Sequence, residues 1–337
     1  MTPPAHATAA PTDSSQGELT LGVALCTYNG AAYVGAQIES ILKQTRPVHE
    51  IVVSDDGSRD DTLERVQRQL AGHPVRCTLL GDGRRGITQN FARAVAACSA
   101  DVIFLCDQDD VWLPQKVERL AAVFEADPKA LLVFSDARLV DQDLNDLGRS
   151  QFDMVRMRPA LRRALEGPRA FETLLRRNVV TGATVAFRRT LLTRALPFID
   201  GWLHDEWLAI LAAAYDGLRC VPEPLVLYRQ HGSNQCGMRP EPVVRQVSAA
   251  ARTQKPGMGT KRLQAVLDRL QSHPSERAQA QLEWLRAAES FQAVRSALPP
   301  GRWQRVAQIA AWLLGGRYNR FGDGVRSAAK DFLATAR

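Results

Sequence analysis

Val102-Ile103-Phe104-Leu105-Cys106-Asp107-Gln108-Asp109-Asp110 runs from an apolar, partly β-branched segment straight into three carboxylates within four positions. The apolar run reads as a buried strand and the acidic tail as the loop at its carboxyl end. Carboxylates held this close repel one another and raise each other's pKa unless a cation lies among them. The pattern therefore points to a hard divalent metal with oxygen ligands, Mg²⁺ or Mn²⁺, of the kind that also grips a diphosphate. The plainer alternative is a solvated acidic turn in which Asp109 or Asp110 caps the next helix.

Working outward, short strand-like runs alternate with helical patterns. Leu19–Cys26, Glu50–Ser54, Val75–Leu80 and Val102–Cys106 read as strands; Ala31–Lys43, Asp60–Leu70 and Thr88–Cys98 read as helices. This alternation predicts an α/β fold, a Rossmann-like and mainly parallel sheet with helices on both faces and right-handed crossovers. In such sheets ligands bind outside the carboxyl ends of the strands. Three polar clusters fall there: Thr27-Tyr28-Asn29-Gly30, Asp55-Asp56-Gly57-Ser58, and Asp107 to Asp110. Asp55 or Asp56 could accept hydrogen bonds from a base N–H or a ribose hydroxyl, while Gly57 permits the turn and Ser58 or Asp60 starts the following helix. The chain has neither a GxGxxG fingerprint nor a GxxxxGK[ST] loop, so the usual dinucleotide and P-loop readings fall away.

Composition sets the outer bounds. The 337 residues are 45% hydrophobic, enough for a sizeable core, and 43 basic residues stand against 36 acidic ones. The arginines concentrate in two places, Arg156 to Arg177 and the last forty residues. Such patches suit phosphates or anionic lipid headgroups; no nucleic-acid motif accompanies them. The six cysteines, at 26, 77, 98, 106, 220 and 236, have no CxxC spacing and suit a reducing compartment. Residues 1–18 read as a disordered leader and not a signal peptide, and no run of about 18 apolar residues suggests a membrane span. The expectation is a cytoplasmic protein with possible peripheral contact at the inner face of the membrane.

Taken in order, Leu25-Cys26-Thr27-Tyr28-Asn29-Gly30, Val52-Val53-Ser54-Asp55-Asp56-Gly57-Ser58 and Leu105 to Trp112 resemble the successive signatures of family 2 inverting glycosyltransferases with the GT-A fold. Thr181-Gly182-Ala183-Thr184 is similar to that family's acceptor-side loop, and His204-Asp205-Glu206-Trp207 to its acidic motif. Tyr228-Arg229-Gln230-His231-Gly232-Ser233-Asn234 resembles a segment of the rhamnosyltransferase-like branch. The resemblance covers roughly residues 19 to 236. It implies a nucleoside diphosphate sugar donor, a divalent metal under the diphosphate, and inversion at the anomeric carbon. Mapped residue by residue, it assigns Thr27, Tyr28, Asn29, Asp55, Asp56, Asp107 and Gln108 to the donor; Asp109, Asp107 and His231 to the metal; Asp205 to the general base; and Gly182, Ala183, Glu206 and Trp207 to the acceptor side. Asp205 and Glu206 compete for the base role, and the His-Asp order favours Asp205. Trp112 and Trp202 are candidates to stack on a sugar, with packing as the alternative.

The implied activity is transfer of a sugar, with rhamnose a candidate, to a glycan or lipid-linked acceptor in bacterial surface polysaccharide or glycolipid synthesis. Two rivals belong to other classes: a sugar-nucleotide-binding protein without turnover, and a sugar nucleotidyltransferase. The first should lack the metal pair or the base; the second wants a glycine- and arginine-rich loop after the first strand, where this chain has Thr27 to Gly30. The catalytic domain is expected over 19–240, with a nucleotide half to about 110 and an acceptor half beyond it. Residues 241–337 form a helical region, with Val243–Lys261 as a linker or flap. Within it, Trp284, Ala288 and Phe291 recur at helical spacing, as do Trp303, Val306, Ala310 and Leu313. Arg302 to Arg320 pairs tryptophans and leucines with basic residues, as a surface lying on an anionic membrane would.

Overall fold

The computed structural model describes residues 18–231, 258–322 and 324–334. The first apolar runs form strands β1 (Leu21–Thr27), β2 (Glu50–Asp55), β3 (Arg76–Leu80) and β4 (Val102–Asp107). β1 and β2 are buried at every position and β4 at all but its last, whereas β3 is mostly exposed and forms the sheet edge. The four pair in parallel in the order β3-β2-β1-β4. Helices α1 (Val34–Leu42), α2 (Thr62–Leu70) and α3 (Ile87–Ala97) make the crossovers.

Register positions the site. Thr27 lies beside Asp55 and Cys26 beside Asp107, so the three polar clusters leave the sheet side by side. Beyond β4 the sheet becomes mixed. β5 (Val111–Trp112), β6 (Leu132–Val140), β7 (Asp146–Ser150), β8 (Val185–Arg188) and β9 (Leu218–Arg229) follow, and β8 inserts antiparallel between β4 and β6. β9 runs parallel to β6 and, at Val111–Leu227, antiparallel to β5; this second pairing carries the chain after β9 back over the acidic loop.

Helices α4 (Lys116–Ala126), α5 (Gln151–Met154), α6 (Pro159–Leu165), α7 (Ala170–Arg176), α8 (Leu192–Ala195) and α9 (His204–Ala214) fill the second half. α9 is the most deeply embedded, with ten of its eleven residues buried. Its apolar run Trp207–Ala214 packs between the sheet and the C-terminal helices α10 (Met258–Ser272) and α11 (Glu276–Ser296). Val266, Leu270, Leu282, Trp284, Leu285 and Ala288 from these two helices belong to the same core cluster as Trp207 and Phe134, so α10 and α11 complete the sheet's core.

The remaining helices, α12 (Arg302–Leu314), α13 (Arg317–Phe321) and α14 (Val325–Leu333), close a smaller cluster around Phe291, Ile309, Trp312, Tyr318 and Ala328. The face of α12 that packs is not the apolar stripe noted in the sequence. The stripe Trp303-Val306-Ala310 does not pack; Trp303 is 83% exposed, and the buried side of α12 is Arg305, Ile309 and Trp312. Arg305 decides the rotation: its guanidinium donates to the carbonyls of Pro299, Pro300, Asp331 and Ala334, contacts that only an inward-facing arginine can make. Most of the expected linker, residues 243–257, lies outside the described residues, and Met258–Lys261 opens α10.

Candidate active site

The loop after β1 is tied to the loop after β2. Thr27 Oγ1 donates to Asp55 Oδ1 at 2.7 Å, and Asp55 also accepts from Gly57 N at 3.0 Å, Ser58 N at 2.7 Å and Ser58 Oγ at 2.6 Å. Asn29, with φ of +47°, donates its N–H to Ser58 Oγ and accepts Arg59 N on its side-chain oxygen at 2.9 Å. Asp56 accepts the backbone N–H groups of Arg85 and Gly86. Both aspartates thus hold turns, and their carboxylates are occupied by this chain. Gln108 bridges to the first loop, accepting Tyr28 N at 2.8 Å and donating to Tyr28 O at 3.0 Å. Gly30 makes room for that bridge: a Cβ there would sit 2.0 Å from Gln108 Oε1.

Sequence reasoning missed several contributors to this end of the sheet. Arg93 reaches from α3 to Ser54 Oγ at 2.7 Å and to Asp55 O at 2.6 Å, and Asn90 bonds Ser54 on both its atoms. Arg84 places its guanidinium 4.8 Å from the Tyr28 ring centre. The signal available for the latter was the run Gly81-Asp82-Gly83-Arg84-Arg85-Gly86, a flexible basic loop directly after a strand.

The acidic loop after β4 meets the end of β9. His231 Nε2 lies 2.8 Å from Asp109 Oδ2, while Arg229 donates its N–H to Asp110 Oδ1 at 3.0 Å and its Nε to Asp109 O at 2.7 Å. Asp110 is buried, and its Oδ2 has no hydrogen-bond partner among the described residues. Asp107 keeps some surface, yet its packed surroundings desolvate the carboxyl and, with the charges of Asp109 and Asp205, push it up to about 7. Asp110 is raised by its own burial and by the charges of Asp109 and Asp107. Besides the buried Arg229, a second buried basic group stands nearby: Lys116, fully buried, is itself pulled down to about 7 by desolvation, donates to Ala183 O at 2.7 Å and lies 3.7 Å from the Trp112 ring centre.

This donor set fits a divalent ion. An imidazole nitrogen and a carboxylate oxygen already converge at 2.8 Å, an orphaned buried carboxylate oxygen lies on the adjacent residue, and the carboxylates crowd without adequate compensation. Among the described residues no group of three such side chains is arranged as a ready-made ligand cage.

On the acceptor side, Asp205 sits in the first turn of α9. Its Oδ2 accepts Gly182 N at 2.8 Å and its Oδ1 accepts Glu206 N at 2.8 Å. Burial raises its pKa above the ordinary aspartate range, and its charge helps raise Asp107. Gly182 approaches closely enough that a Cβ would lie 3.1 Å from His204 Nε2 and 3.5 Å from Asp205 Oδ2. His204 stacks on Phe91 at 3.7 Å between ring centres, and burial holds it neutral by pulling it down to about 3. Glu206 points elsewhere, pairing with Arg262 at 2.7 Å.

Three residues play parts other than contact with a sugar. Trp207, expected on the acceptor side, is wholly buried and donates Nε1–H to Ala195 O at 2.9 Å, so its ring offers no face to an acceptor. Trp112 is likewise a packing residue against Phe104 and Lys116. Ala183 contributes its carbonyl and not its buried methyl.

The profile of glycosyl transferase family 2 matches residues 22–192. This chain belongs to that family. A glycosyltransferase of Nostoc sp., itself uncharacterised, is 25% identical over 227 residues, covering 64% of this chain and 66% of the relative. The dTDP-rhamnosyl transferase RfbG of Shigella flexneri is also 25% identical over 227 residues, covering 63% of this chain and 73% of RfbG. The first of these matches thus spans slightly less than two thirds of the relative's own length. The mannosyltransferase PcManGT of Pyrobaculum calidifontis, solved with GDP-Man and Mn²⁺, superposes with a TM-score of 0.50 at 20% identity, covering 96% of this chain and 87% of that one. The fold is GT-A, a mixed α/β sheet with a C-terminal helical region.

Proposed function

We propose that the protein is an inverting glycosyltransferase that moves a sugar from a nucleoside diphosphate sugar to a hydroxyl acceptor. The observation that carries this reading is the placement of Asp205: a buried carboxylate fixed by Gly182 N–H, near enough to Asp107 at the carboxyl end of β4 for its charge to help raise the Asp107 carboxyl. The loops holding Thr27, Tyr28, Asn29, Asp55, Asp56 and Gln108 shape the nucleoside seat, chiefly through backbone groups that their side chains hold in position. A Mg²⁺ or Mn²⁺ ion held by Asp109 and His231, with Asp107 beside them, would neutralise charge on the departing diphosphate.

Asp205 takes the proton from the acceptor hydroxyl as its oxygen bonds to the anomeric carbon. The bond from that carbon to the diphosphate oxygen breaks on the opposite face, and the nucleoside diphosphate leaves with the electron pair. One displacement inverts the configuration. Burial raises the basicity of Asp205, which favours this role, whereas Glu206 is committed to Arg262. A binding protein without turnover has no use for a carboxylate placed this way, and a nucleotidyltransferase would want basic residues in the Thr27–Gly30 turn.

The similarity to RfbG supports a deoxyhexose such as rhamnose as the sugar, in polysaccharide or glycolipid synthesis. The metal of PcManGT supports Mn²⁺ or Mg²⁺ here. Purified protein with either metal should be screened against UDP-, GDP- and dTDP-sugars by thermal shift and slow donor hydrolysis; a bound donor raises the midpoint with the logarithm of its saturation. No shift and no hydrolysis with any donor would defeat the reading.

A second observation favours contact with an anionic membrane surface. Trp303 and Leu314 are 83% and 89% exposed on α12, Val325 and Leu333 are exposed on α14, and Arg302, Arg317 and Arg320 flank them. Among the described residues no helix is long and apolar enough to cross a membrane. A protein lying on the inner face of the cytoplasmic membrane through this surface would meet a lipid-linked acceptor there.

A further inference from the structure

The two arginine-rich stretches, far apart in sequence, converge on one cavity of about 330 Å³ between the end of α7, the start of α9 and helices α10, α11 and α14. Arg176 and Arg177 line it from the first stretch and Lys330 from the second, joined by Arg262 and Arg295; Glu206 is the acidic residue of the wall. Asp331, paired with Arg295 at 2.7 Å, stands behind it, so among the described residues the local excess is still three positive charges. Several of the cations are already fixed. Arg176 donates to Glu172 O at 3.1 Å and Asn319 O at 2.8 Å, and Arg262 lies 3.7 Å from the centre of the Trp202 ring while bonding Glu206. Lys330 is exposed, and its ammonium has no hydrogen-bond or ion-pair partner among the described residues.

An independent observation concerns neutral donors. The indole N–H groups of Trp202 and Trp284 are buried without an acceptor among the described residues, and both tryptophans line this cavity. An indole nitrogen can only donate. The described part of the wall therefore offers excess positive charge, with two unpaired indole N–H groups buried behind its surface, which calls for a ligand rich in anionic acceptor oxygens. A carboxylate would be satisfied by a single arginine fork, whereas a phosphate or diphosphate has the charge and the oxygens to engage several donors at once. The volume falls at the lower end of ordinary small-ligand pockets, about 300–1,000 Å³.

We propose that this cavity seats a phosphate or diphosphate group carried by the acceptor. The donor's diphosphate belongs with Asp107 and Asp109, while Glu206, which follows Asp205 in the first turn of α9, lines the cavity. The inference rests on the glycosyltransferase reading and narrows its acceptor to a phosphorylated one. Such a group has two sources, a lipid-linked diphosphate or a soluble phosphorylated sugar.

The test uses the full chain in EDTA, titrated with inorganic pyrophosphate against an ionic-strength-matched chloride control. Without metal the acidic donor end repels pyrophosphate, so binding reports on the cavity. Wild type should bind, and Lys330→Glu and Arg262→Gln should each weaken binding by about threefold to tenfold, as expected for losing one positive contact near water. Both variants should still bind nucleoside diphosphate with Mn²⁺, which also shows that they fold. Farnesyl diphosphate binding at least tenfold more tightly than pyrophosphate assigns the lipid source; equal binding assigns the soluble one. Pyrophosphate acting no differently from chloride, or binding both variants as tightly as wild type, overturns the proposal while leaving the donor reading intact. Pyrophosphate binding in a protein that takes no nucleoside diphosphate with Mn²⁺ overturns the acceptor assignment together with the donor reading.

Discussion

Asp205→Asn separates chemistry from binding. The amide nearly preserves shape, and its oxygen can keep one of the two bonds now accepted from Gly182 N and Glu206 N at 2.8 Å. The other bond is lost, since an NH₂ group would face an N–H. Losing a hydrogen bond to a charged group costs about 1.5–3 kcal/mol, but the amide also removes a carboxylate whose charged form burial already disfavours, so the net effect on stability is smaller than that range. Among the described residues the donor loops make no hydrogen bond to Asp205; their bonds run among Thr27, Asp55, Asp56, Gln108 and Tyr28. Donor affinity measured by titration with Mn²⁺ should therefore stay within a few fold. Transfer to acceptor should fall by about 10² to 10⁴, the usual loss when a general base is removed. Glu206→Gln is the control and should retain turnover, because its carboxylate pairs with Arg262 away from Asp107. Transfer by Asp205→Asn within tenfold of wild type would refute the assignment, and loss of transfer in Glu206→Gln alone would exchange the two roles.

Gly30→Ala should drive Gln108 out of its place, because the new methyl would lie 2.0 Å from its oxygen; losing two bonds to Tyr28 at about 0.5–1.5 kcal/mol each should lower the thermal midpoint, and adding Gln108→Ala should bring little further loss, so additive costs would count against the mechanism. Chelation should abolish turnover, and full activity after exhaustive EDTA treatment would remove the metal from the mechanism. In the metal-free protein Asp107 titrates at about 7, above its ordinary 3.8, so the folded state keeps a proton that the unfolded chain has lost; its stabilising contribution is complete below about pH 4 and disappears as pH rises to 7. Thermal midpoints of Asp107→Asn should show a shallower decline over that window than wild type, and equal slopes would contradict the shift. Vesicles with anionic lipid should retain the protein at low salt and release it as screening rises, with Trp303→Glu weakening retention; equal binding to neutral vesicles would make α12 an ordinary surface helix.

The first half of the sheet was legible because each strand combines an apolar run with a polar loop, and parallel strands must point those loops the same way. Observed ends differ from the expected ones by a residue or a few, as for β1, expected over Leu19–Cys26 and found over Leu21–Thr27. The pairing of His231 with Asp109 spans 122 residues and could be anticipated only through the family resemblance, since nothing local to either residue requires the other. The motif His204-Asp205-Glu206-Trp207 shows why a string of letters is not a site. On a helix successive side chains diverge by about 100°, so Asp205 faces Gly182, Glu206 faces Arg262 and Trp207 enters the core. Placing Glu206 and Trp207 on the acceptor side beside the base Asp205 ignored that divergence.

The C-terminal helices pose the same problem at longer range. On α12 two stripes have helical spacing, Trp303-Val306-Ala310-Leu313 and Arg305-Ile309-Trp312, and hydropathy selects the first. The structure selects the second because the Arg305 guanidinium satisfies carbonyls at the ends of neighbouring segments, a benefit that no hydropathy scale assigns to arginine. Burying Arg305 turns Trp303 outward beside Arg302, and the apolar surface left exposed lies in the same C-terminal unit whose α14 supplies Lys330 to the basic cavity. A lipid carrying a diphosphate would need both features, an apolar surface for its chain and fixed cations for its headgroup. The farnesyl diphosphate comparison tests that coupling: a chain that adds affinity beyond pyrophosphate makes the exposed face and the cavity parts of one acceptor site, whereas a chain that adds nothing separates them.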